Sequence, residues 1–446
     1  MYKKIIFSLD ALKQKDYRFI NFLGSNEYQK LVNSSPQLNN ILAMNDATYV
    51  SANVCSYING IDRILGHKKI PDIQADIHPR HTENVARVGL AIAQAMGLSL
   101  PEQRIVWYGH RLHDIGKTQV SDDLLLVKRG LTLAEALQIK KPHAVKGARI
   151  IRRLGIVEAE SQVALFHHED WNGGGYFGLR GAEIPRPARI CHVADVYDVL
   201  ANIRDYARAE SKDPLTPEAA VAHLITESGT AFDPEVIEGL KLWEKRGFPD
   251  PDMSGISLLA RVTDQYDLTN IEVAKKLLYR VHHGVTDFFC GILDLGGTQN
   301  QRGYNPYIPA YYAVHFCDSL SLSPEETRAV YLYCLVGGLY DMYLPASLTE
   351  VTQFIPFAHE FDRDLFDALF QYRAVSTVNE DFYENWNGVG SLCGKQGTDI
   401  NYLSRVARVI AVYTQYGLAE LVARRGVKLD PELVDAFLKI LPHAAR

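Results

Sequence analysis

No stretch of this chain approaches the roughly twenty unbroken apolar residues that a membrane span needs, although 47% of its 446 residues are hydrophobic. No span is therefore expected. The opening, MYKKIIFSLDALKQKD, has a brief apolar run, but Asp10 and Lys13 cut it short and no small-residue cleavage pattern follows. A signal peptide is not expected either. The six cysteines (Cys55, Cys191, Cys290, Cys317, Cys334, Cys393) are scattered and form no CxxC pair. They read as reduced, mostly buried thiols of a cytoplasmic protein. Positive charge is not in excess: the net charge is −6, which argues against duplex DNA or RNA as a partner. A small anionic ligand stays open, since a few placed cations suffice for it.

The chain also lacks the period-two alternation of half-buried strands, and its periodicity is helical almost throughout. The expected class is all-α. Residues 82–97 place Val85, Val88, Ile92 and Met96 on one stripe, with His81 one turn before Val85 on the inward face. A second helix is expected over 102–114, a third from about Pro142-His143 to a stop at Gly155, and a fourth over about 157–168, ending in His167-His168. The glycine-rich loop W-N-G-G-G-Y follows, then a helix from about 186 to 203 carrying Asp195 and Asp198. A chain of this length exceeds one ordinary core and suits two domains.

His113-Asp114, followed by Ile-Gly-Lys, is the most informative feature present. Successive side chains on a helix diverge by roughly a hundred degrees, so adjacent ligands cannot share one direction. They suit a carboxylate that bridges two ions while its neighbour binds one of them. His81, His113, Asp114, His143, His167, His168 and Asp195 are spread over successive helices at inward positions or helix ends. Mixed imidazole and carboxylate donors suit zinc, iron or manganese rather than calcium. A single histidine on an apolar stripe, such as His143, is ordinarily a core residue; the ordered set is what points to metal. Two such ions would clamp a phosphoryl group for in-line attack.

These residues carry a resemblance. H-T at 81–82, H-D-I-G-K at 113–117, H-H-E at 167–169 and N-G-G-G-Y at 172–176 resemble the HD-GYP domain of bacterial cyclic dinucleotide phosphodiesterases. So do G-A-E-I-P-R-P-A-R-I at 181–190, A-D-V-Y-D-V-L at 194–200 and S-G-T-A-F-D-P at 228–234, the similarity running in order over about residues 75–248. The resemblance implies an HD-domain helical bundle. It further implies that His81, His113, Asp114 and Asp195 hold one ion, and that Asp114 bridges to a second held by His143, His167 and His168. Lys117 would face the scissile phosphate, with Gly175 and Tyr176 of the loop and Arg204 and Tyr206 of I-R-D-Y touching the nucleotide. The implied reaction is attack on phosphorus by a bridging hydroxide and departure of a ribose 3′ oxygen, giving a linear dinucleotide, with Lys117 stabilising the developing charge. Iron or manganese fits the ligand set best, and zinc is not excluded.

Three departures from the family pattern bear on substrate and metal count. Gly-Tyr-Pro is here Gly175-Tyr176-Phe177, which frees the loop backbone and adds a ring. Asp205 replaces the proline of R-P-Y. Ile77 stands where some members carry an acidic ligand for a third metal, so two divalent ions are expected, with His78 nearby. Cyclic di-GMP is the family's usual substrate; some tandem members prefer 3′,3′-cyclic GMP-AMP, and both stay open.

The second half reads as a worn copy of the first. F-Y-E-N-W-N-G-V-G at 382–390 echoes 167–175, S-R-V-A-R-V-I-A-V-Y-T at 404–414 echoes 188–198, and K-L-D-P-E-L-V-D-A-F at 428–437 echoes 231–240. His167 and His168 become Phe382 and Tyr383, and Asp195 becomes Ala411. His113-Asp114 falls against Gly337-Gly338 and His81 against Asn305, so that only His143 keeps a counterpart, His359. The expected organisation is an N-terminal helical segment (1–72), a catalytic HD domain (73–248), a linker with two prolines (249–274) and a metal-free, degenerate HD-like helical domain (275–446). That last domain either covers a helical face or regulates its partner within the chain by binding a nucleotide. Two other function classes compete: another HD phosphohydrolase acting on a nucleoside phosphate or an alarmone, and a non-catalytic nucleotide sensor.

Overall fold

The computed structural model describes residues 36–66, 81–119, 133–202, 214–293, 307–336, 377–378, 381–389 and 393–441. Among them every regular element is helical, and the only pairings of strand type are two isolated bridges, Ser228 with Phe232 and Arg425 with Leu429. The all-α expectation holds. Among the described residues no helix is long and apolar enough to cross a membrane. By internal contacts the chain divides into one unit of residues 51–298 and another of 1–50 with 299–446.

Helix α1 (Pro36–Ala43) belongs to the unit of 1–50 with 299–446, and most of α2 (Ala47–Gly66) to the unit of 51–298. The site is carried by α3 (His81–Ala95), α4 (Leu100–Leu112), α5 (Leu133–Arg153), α6 (Glu158–Phe166) and α7 (Arg186–Ala201). Around them come α8 (Pro217–Thr226), α9 (Pro234–Lys245), α10 (Leu258–Thr263) and α11 (Ile271–Leu293). The ends follow local chemistry. Glu102 closes the start of α4 by accepting from Ser99 N at 3.1 Å and Ser99 Oγ at 2.7 Å. Asp233 caps α9 by accepting from Glu235 N at 2.9 Å, with Pro234 in the first turn. One face each of α3, α4, α7, α8 and α9 closes a core of Ile92, Val106, Val193, Val221, Ile237, Leu240 and Trp243. Each such side chain contributes roughly 1.5–3 kcal/mol by leaving water. That core is the rigid floor under the site.

Two boundaries differ from expectation, for stated reasons. The third helix begins at Leu133, not at Pro142, which lies inside it. The residues before the proline, L-A-E-A-L-Q-I-K-K, are strong helix formers and carry the helix across one missing hydrogen bond. Helix α4 ends at Leu112, and Ile115–Gln119 form a 3-10 turn. His113 and Asp114 are therefore released from the regular helix at its end, where their side chains converge rather than diverge. The segment 249–274 contains α10, whose Arg261 is buried and donates from Nε to Glu160 Oε1 at 2.7 Å.

The other unit contains α12 (Tyr307–Ser319), α13 (Pro324–Val336), α14 (Tyr402–Tyr416), α15 (Leu418–Ala423) and α16 (Pro431–Ile440). Its internal bonds repeat those of the first unit. Trp171 N donates to Ala231 O at 3.0 Å, and Trp386 N donates to Lys428 O at 3.3 Å. Glu169 accepts from Phe177 N and Leu179 N; Glu384 accepts from Cys393 N and Lys395 N. Arg189 pairs with Asp233, and Arg405 pairs with Asp430. Where the first unit has His192 on the Glu169 carbonyl, the second has Arg408, a buried guanidinium that donates to the carbonyls of Phe382 and Glu384 and to Asn385 Oδ1.

Candidate metal centre

The ligand candidates arrive from five elements, mostly at helix ends. His81 opens α3, His113-Asp114 follow α4, and His167-His168 follow α6. His143 and Asp195 come from the middles of α5 and α7. The structure brings all seven together. Donor atoms of His81, His113 and Asp114 lie within 4.8 Å of one another, as do those of His143, His167 and His168. Asp114 faces both groups. Its Oδ2 is 3.4 Å from His113 Nε2 and 3.7 Å from His81 Nε2; its Oδ1 is 3.5 Å from His143 Nε2 and 3.7 Å from His167 Nε2. Asp195 Oδ1 completes the first group, 3.2 Å from His81 Nε2.

The hydrogen bonds select one tautomer. His113 Nδ1 lies 2.6 Å from His110 O, and His167 Nδ1 lies 2.9 Å from Ala164 O. A carbonyl only accepts, so both rings carry their proton on Nδ1 and offer a lone pair at Nε2. His143 Nε2 stands 3.3 Å from the Nε2 of His167. His113 Nε2 and Asp114 Oδ1 are buried without a hydrogen-bond partner. Lone pairs turned inward on a buried, unsatisfied carboxylate oxygen are costly unless a cation lies between them. The donor set fits divalent metal, and nitrogen with carboxylate oxygen suits a transition ion. Burial alone would push the Asp114 carboxyl up; the Lys117 ammonium beside it outweighs that and holds it well below the usual range. Lys117 sits on Asp114 Oδ2 as its ion-pair partner.

The glycine-rich loop folds back on this cluster. A Cβ at Gly175 would lie 2.4 Å from Glu169 Cα and 2.5 Å from His168 O, so only glycine allows the return. The Tyr176 ring then lies 4.8 Å from that of His168, tilted by 46°. Phe177 gives the loop what a proline there cannot. Its N–H donates to Glu169 Oε1 at 2.6 Å, its ring meets Phe166 edge-on at 5.7 Å, and the Lys141 ammonium lies 4.4 Å above it. Lys141 also donates to Tyr176 O at 2.6 Å. Arg204 and Tyr206 lie outside the described residues, as do Ile77, His78 and His359.

Sequence reasoning left several participants unassigned. Glu169 and Lys141 shape the loop, and Asp198 holds His81 from behind, with Oδ2 2.6 Å from Nδ1. His110 had no motif to mark it. It is buried between Pro187 O, 3.0 Å from Nε2, and Val85 O, 3.3 Å from Nδ1, and burial pushes its pKa down to about 4. Burial likewise lowers His168, His167 and His192. A base depressed on folding takes up its proton more readily in the unfolded chain. Its stability contribution is present above the unfolded value near 6.5 and is lost as pH falls toward the folded value. Chelator-treated protein should therefore lose stability between pH 6.5 and 4, His110 accounting for about 3 kcal/mol at the upper limit. Urea midpoints across that range would check it, with a shallower fall in His110→Gln; identical slopes would show that His110 does not contribute.

With this geometry in place, the chain can be set beside known proteins. Residues 80–200 match the HD domain family. A cyclic di-GMP phosphodiesterase of Thermotoga maritima is 37% identical over 169 residues, 37% of this chain and 44% of that protein. The 3′3′-cGAMP-specific phosphodiesterase 2 of Vibrio cholerae is 33% identical over 161 residues, 35% of this chain and 30% of that one. The chain thus spans less than half the length of these relatives. The crystal structure of a cyclic GMP-AMP-specific phosphodiesterase of Vibrio cholerae superposes with a TM-score of 0.50 at 16% identity, covering 89% of this chain and 99% of that one. At that identity the likeness speaks for the fold alone. The HD-GYP resemblance read from the motifs is borne out.

Proposed function

We propose that this protein is a metal-dependent phosphodiesterase that opens a bacterial cyclic dinucleotide, cyclic di-GMP or 3′,3′-cyclic GMP-AMP, to a linear dinucleotide. The observation that carries the reading is Asp114, whose two oxygens each face a separate group of histidine Nε2 atoms. In this reading His81, His113, Asp114 and Asp195 hold one ion, and Asp114, His143, His167 and His168 hold the other; iron or manganese suits the set. Two divalent ions there would neutralise the phosphodiester charge and make a water acidic enough to attack near neutral pH. The chain's own groups do the rest. Lys117, now paired with Asp114, would turn its ammonium to the phosphate and stabilise charge as it develops. The tilted His168–Tyr176 ring pair stands beside the second group, and Gly175 lets the loop approach. Arg204 and Tyr206 are proposed to contact the nucleotide.

The domain division proposed is a catalytic domain at 73–248, preceded by 1–72, followed by a linker at 249–274 and a degenerate copy at 275–446. The repeated hydrogen bonds of the Trp386 loop and the Arg405–Asp430 pair support the copy. Phe382, Tyr383 and Ala411 stand there at three of the ligand places. Regulation of the catalytic half by this copy is a second proposal. The thiols Cys55, Cys191, Cys317, Cys334 and Cys393 are unpaired, which fits a reducing, cytoplasmic setting.

The test is turnover of cyclic di-GMP, 3′,3′-cyclic GMP-AMP and cyclic di-AMP by manganese- or iron-loaded protein, products identified by mass. Cleavage of one to a linear dinucleotide supports the reading; cleavage of none points to a nucleotide sensor or another phosphate ester. Phe177→Pro addresses the loop. It removes the bond to Glu169, the contact with Phe166 and the cation above the ring, and should cost about 1–3 kcal/mol of stability. Its expected kinetic effect is a rise in KM of roughly tenfold with metal content unchanged. Unaltered KM for each cyclic dinucleotide would remove the loop from substrate binding.

A further inference from the structure

His81 differs from the other oriented histidines in what holds its back. His113 and His167 give their Nδ1 proton to a carbonyl of the preceding helix. His81 opens its helix, so α3 supplies no earlier carbonyl. Its Nδ1 meets a carboxylate instead: Asp198 Oδ2 at 2.6 Å. Asp198 is 1% exposed, and its other oxygen accepts from Asn202 Nδ2 at 2.6 Å. Asp195 and Asp198 lie one turn apart on α7 and embrace the ring, one at each nitrogen. In the second unit the position matching Asp198 is Thr414. Its hydroxyl turns back to Ile410 O at 2.9 Å, in its own helix. The carboxylate is replaced in the same helix in which Ala411 replaces Asp195.

We propose that Asp198 is a positioning residue for the metal centre: it fixes His81 as the Nδ1–H tautomer, aims Nε2 at Asp114 and Asp195, and strengthens that nitrogen as a ligand. A carboxylate behind a ligating imidazole raises its basicity more than a carbonyl does. Asn202, bonded to the far oxygen, keeps Asp198 from turning away. The ion on the His81 side thus depends on a residue that does not touch it, while the ion on the His143 side does not. The inference rests on the two-ion reading above and does not depend on which phosphate ester is cleaved.

The experiment is a chelator competition with Mn²⁺ on the full chain, comparing the unaltered protein with Asp198→Ala, Asp198→Asn and Asn202→Ala. Asp198→Ala should weaken one ion by about 10- to 100-fold and leave the other within twofold. Asp198→Asn, whose amide oxygen still accepts the Nδ1 proton, should lose less, and Asn202→Ala less again. Nitrogen-15 shifts of the His81 ring in metal-free protein should move from the Nδ1–H form toward a tautomer mixture in Asp198→Ala only. Equal loss of both ions, no loss of either, or an unchanged ring tautomer would each overturn the proposal. If the ions behave as stated and no cyclic dinucleotide is cleaved, the proposed activity fails and this role of Asp198 stands.

Discussion

Replacing Asp114 with alanine is expected to cost roughly a thousandfold or more in cyclic dinucleotide turnover and to weaken both ions at once. A change at His81 or His143 would remove a ligand from one group; Asp114 is the only side chain among the described residues placed against both. Its Oδ1 is buried without a hydrogen bond, so nothing but a cation compensates it. The asparagine variant sharpens the argument. An amide nitrogen at 114 would donate to the inward lone pairs of His143 or His167, now 3.5 and 3.7 Å from Oδ1. Metal-free Asp114→Asn should therefore be at least as stable as the unaltered protein while binding metal far more weakly. The site is strained for function, and relieving it stabilises the empty fold. Thermal midpoints with and without Mn²⁺, beside turnover, would show the crossing. Full metal content and full turnover in Asp114→Ala would end the two-ion reading.

What was legible in the chain follows from how local each signal is. The His113-Asp114 and His167-His168 pairs and the Gly175 loop are contiguous in sequence, and each proved to be one turn of backbone. The helix around His143 was placed too late because a proline is a strong local stop signal, while nine good helix formers before it outweigh one lost bond. His110, Lys141 and Asp198 were illegible for a different reason. Each acts on a partner remote in sequence or across the site: Pro187 O, the Phe177 ring, the back of His81. No spacing rule reports such pairings.

The worn copy separates scaffold from chemistry. Glu169 stands in the H-H-E motif beside the ligands, yet Glu384 keeps its place and its two backbone bonds in a unit that keeps none of the imidazoles of that motif. Its task is the loop, not the metal. Asp198 behaves the other way, giving way to Thr414 together with Asp195 to Ala411. Arg408 in place of His192 closes the argument. Three hydrogen bonds from one buried guanidinium hold the loop end in the second unit, where the first unit has the His192 ring on the Glu169 carbonyl.

Gly116→Ala should be the most damaging change that leaves every ligand in place. A Cβ there would lie 1.9 Å from His143 O and 2.4 Å from Gly147 N. Both are backbone atoms of α5, so no side chain can rotate aside; the helix itself must move by more than an ångström. That motion carries His143 away from Asp114, 3.5 Å distant, and from His167, 3.3 Å distant. The expected cost is roughly 4 kcal/mol or more, above ordinary overpacking because no rotamer relieves it. Loss of the ion on the His143 side and about a hundredfold fall in turnover should accompany it. Gly147 faces the same contact from the other side, and there an added Cβ would meet Gly116 N at 3.2 Å and Ala164 Cβ at 3.6 Å. Those distances ask for a few tenths of an ångström, and alanine gains about 1 kcal/mol over glycine inside a helix. Gly147→Ala should therefore be close to neutral. Urea midpoints and metal content of the two variants decide it: equal behaviour would mean that α5 yields freely, and that the glycine of the His-Asp-Ile-Gly-Lys turn is not what seats His143.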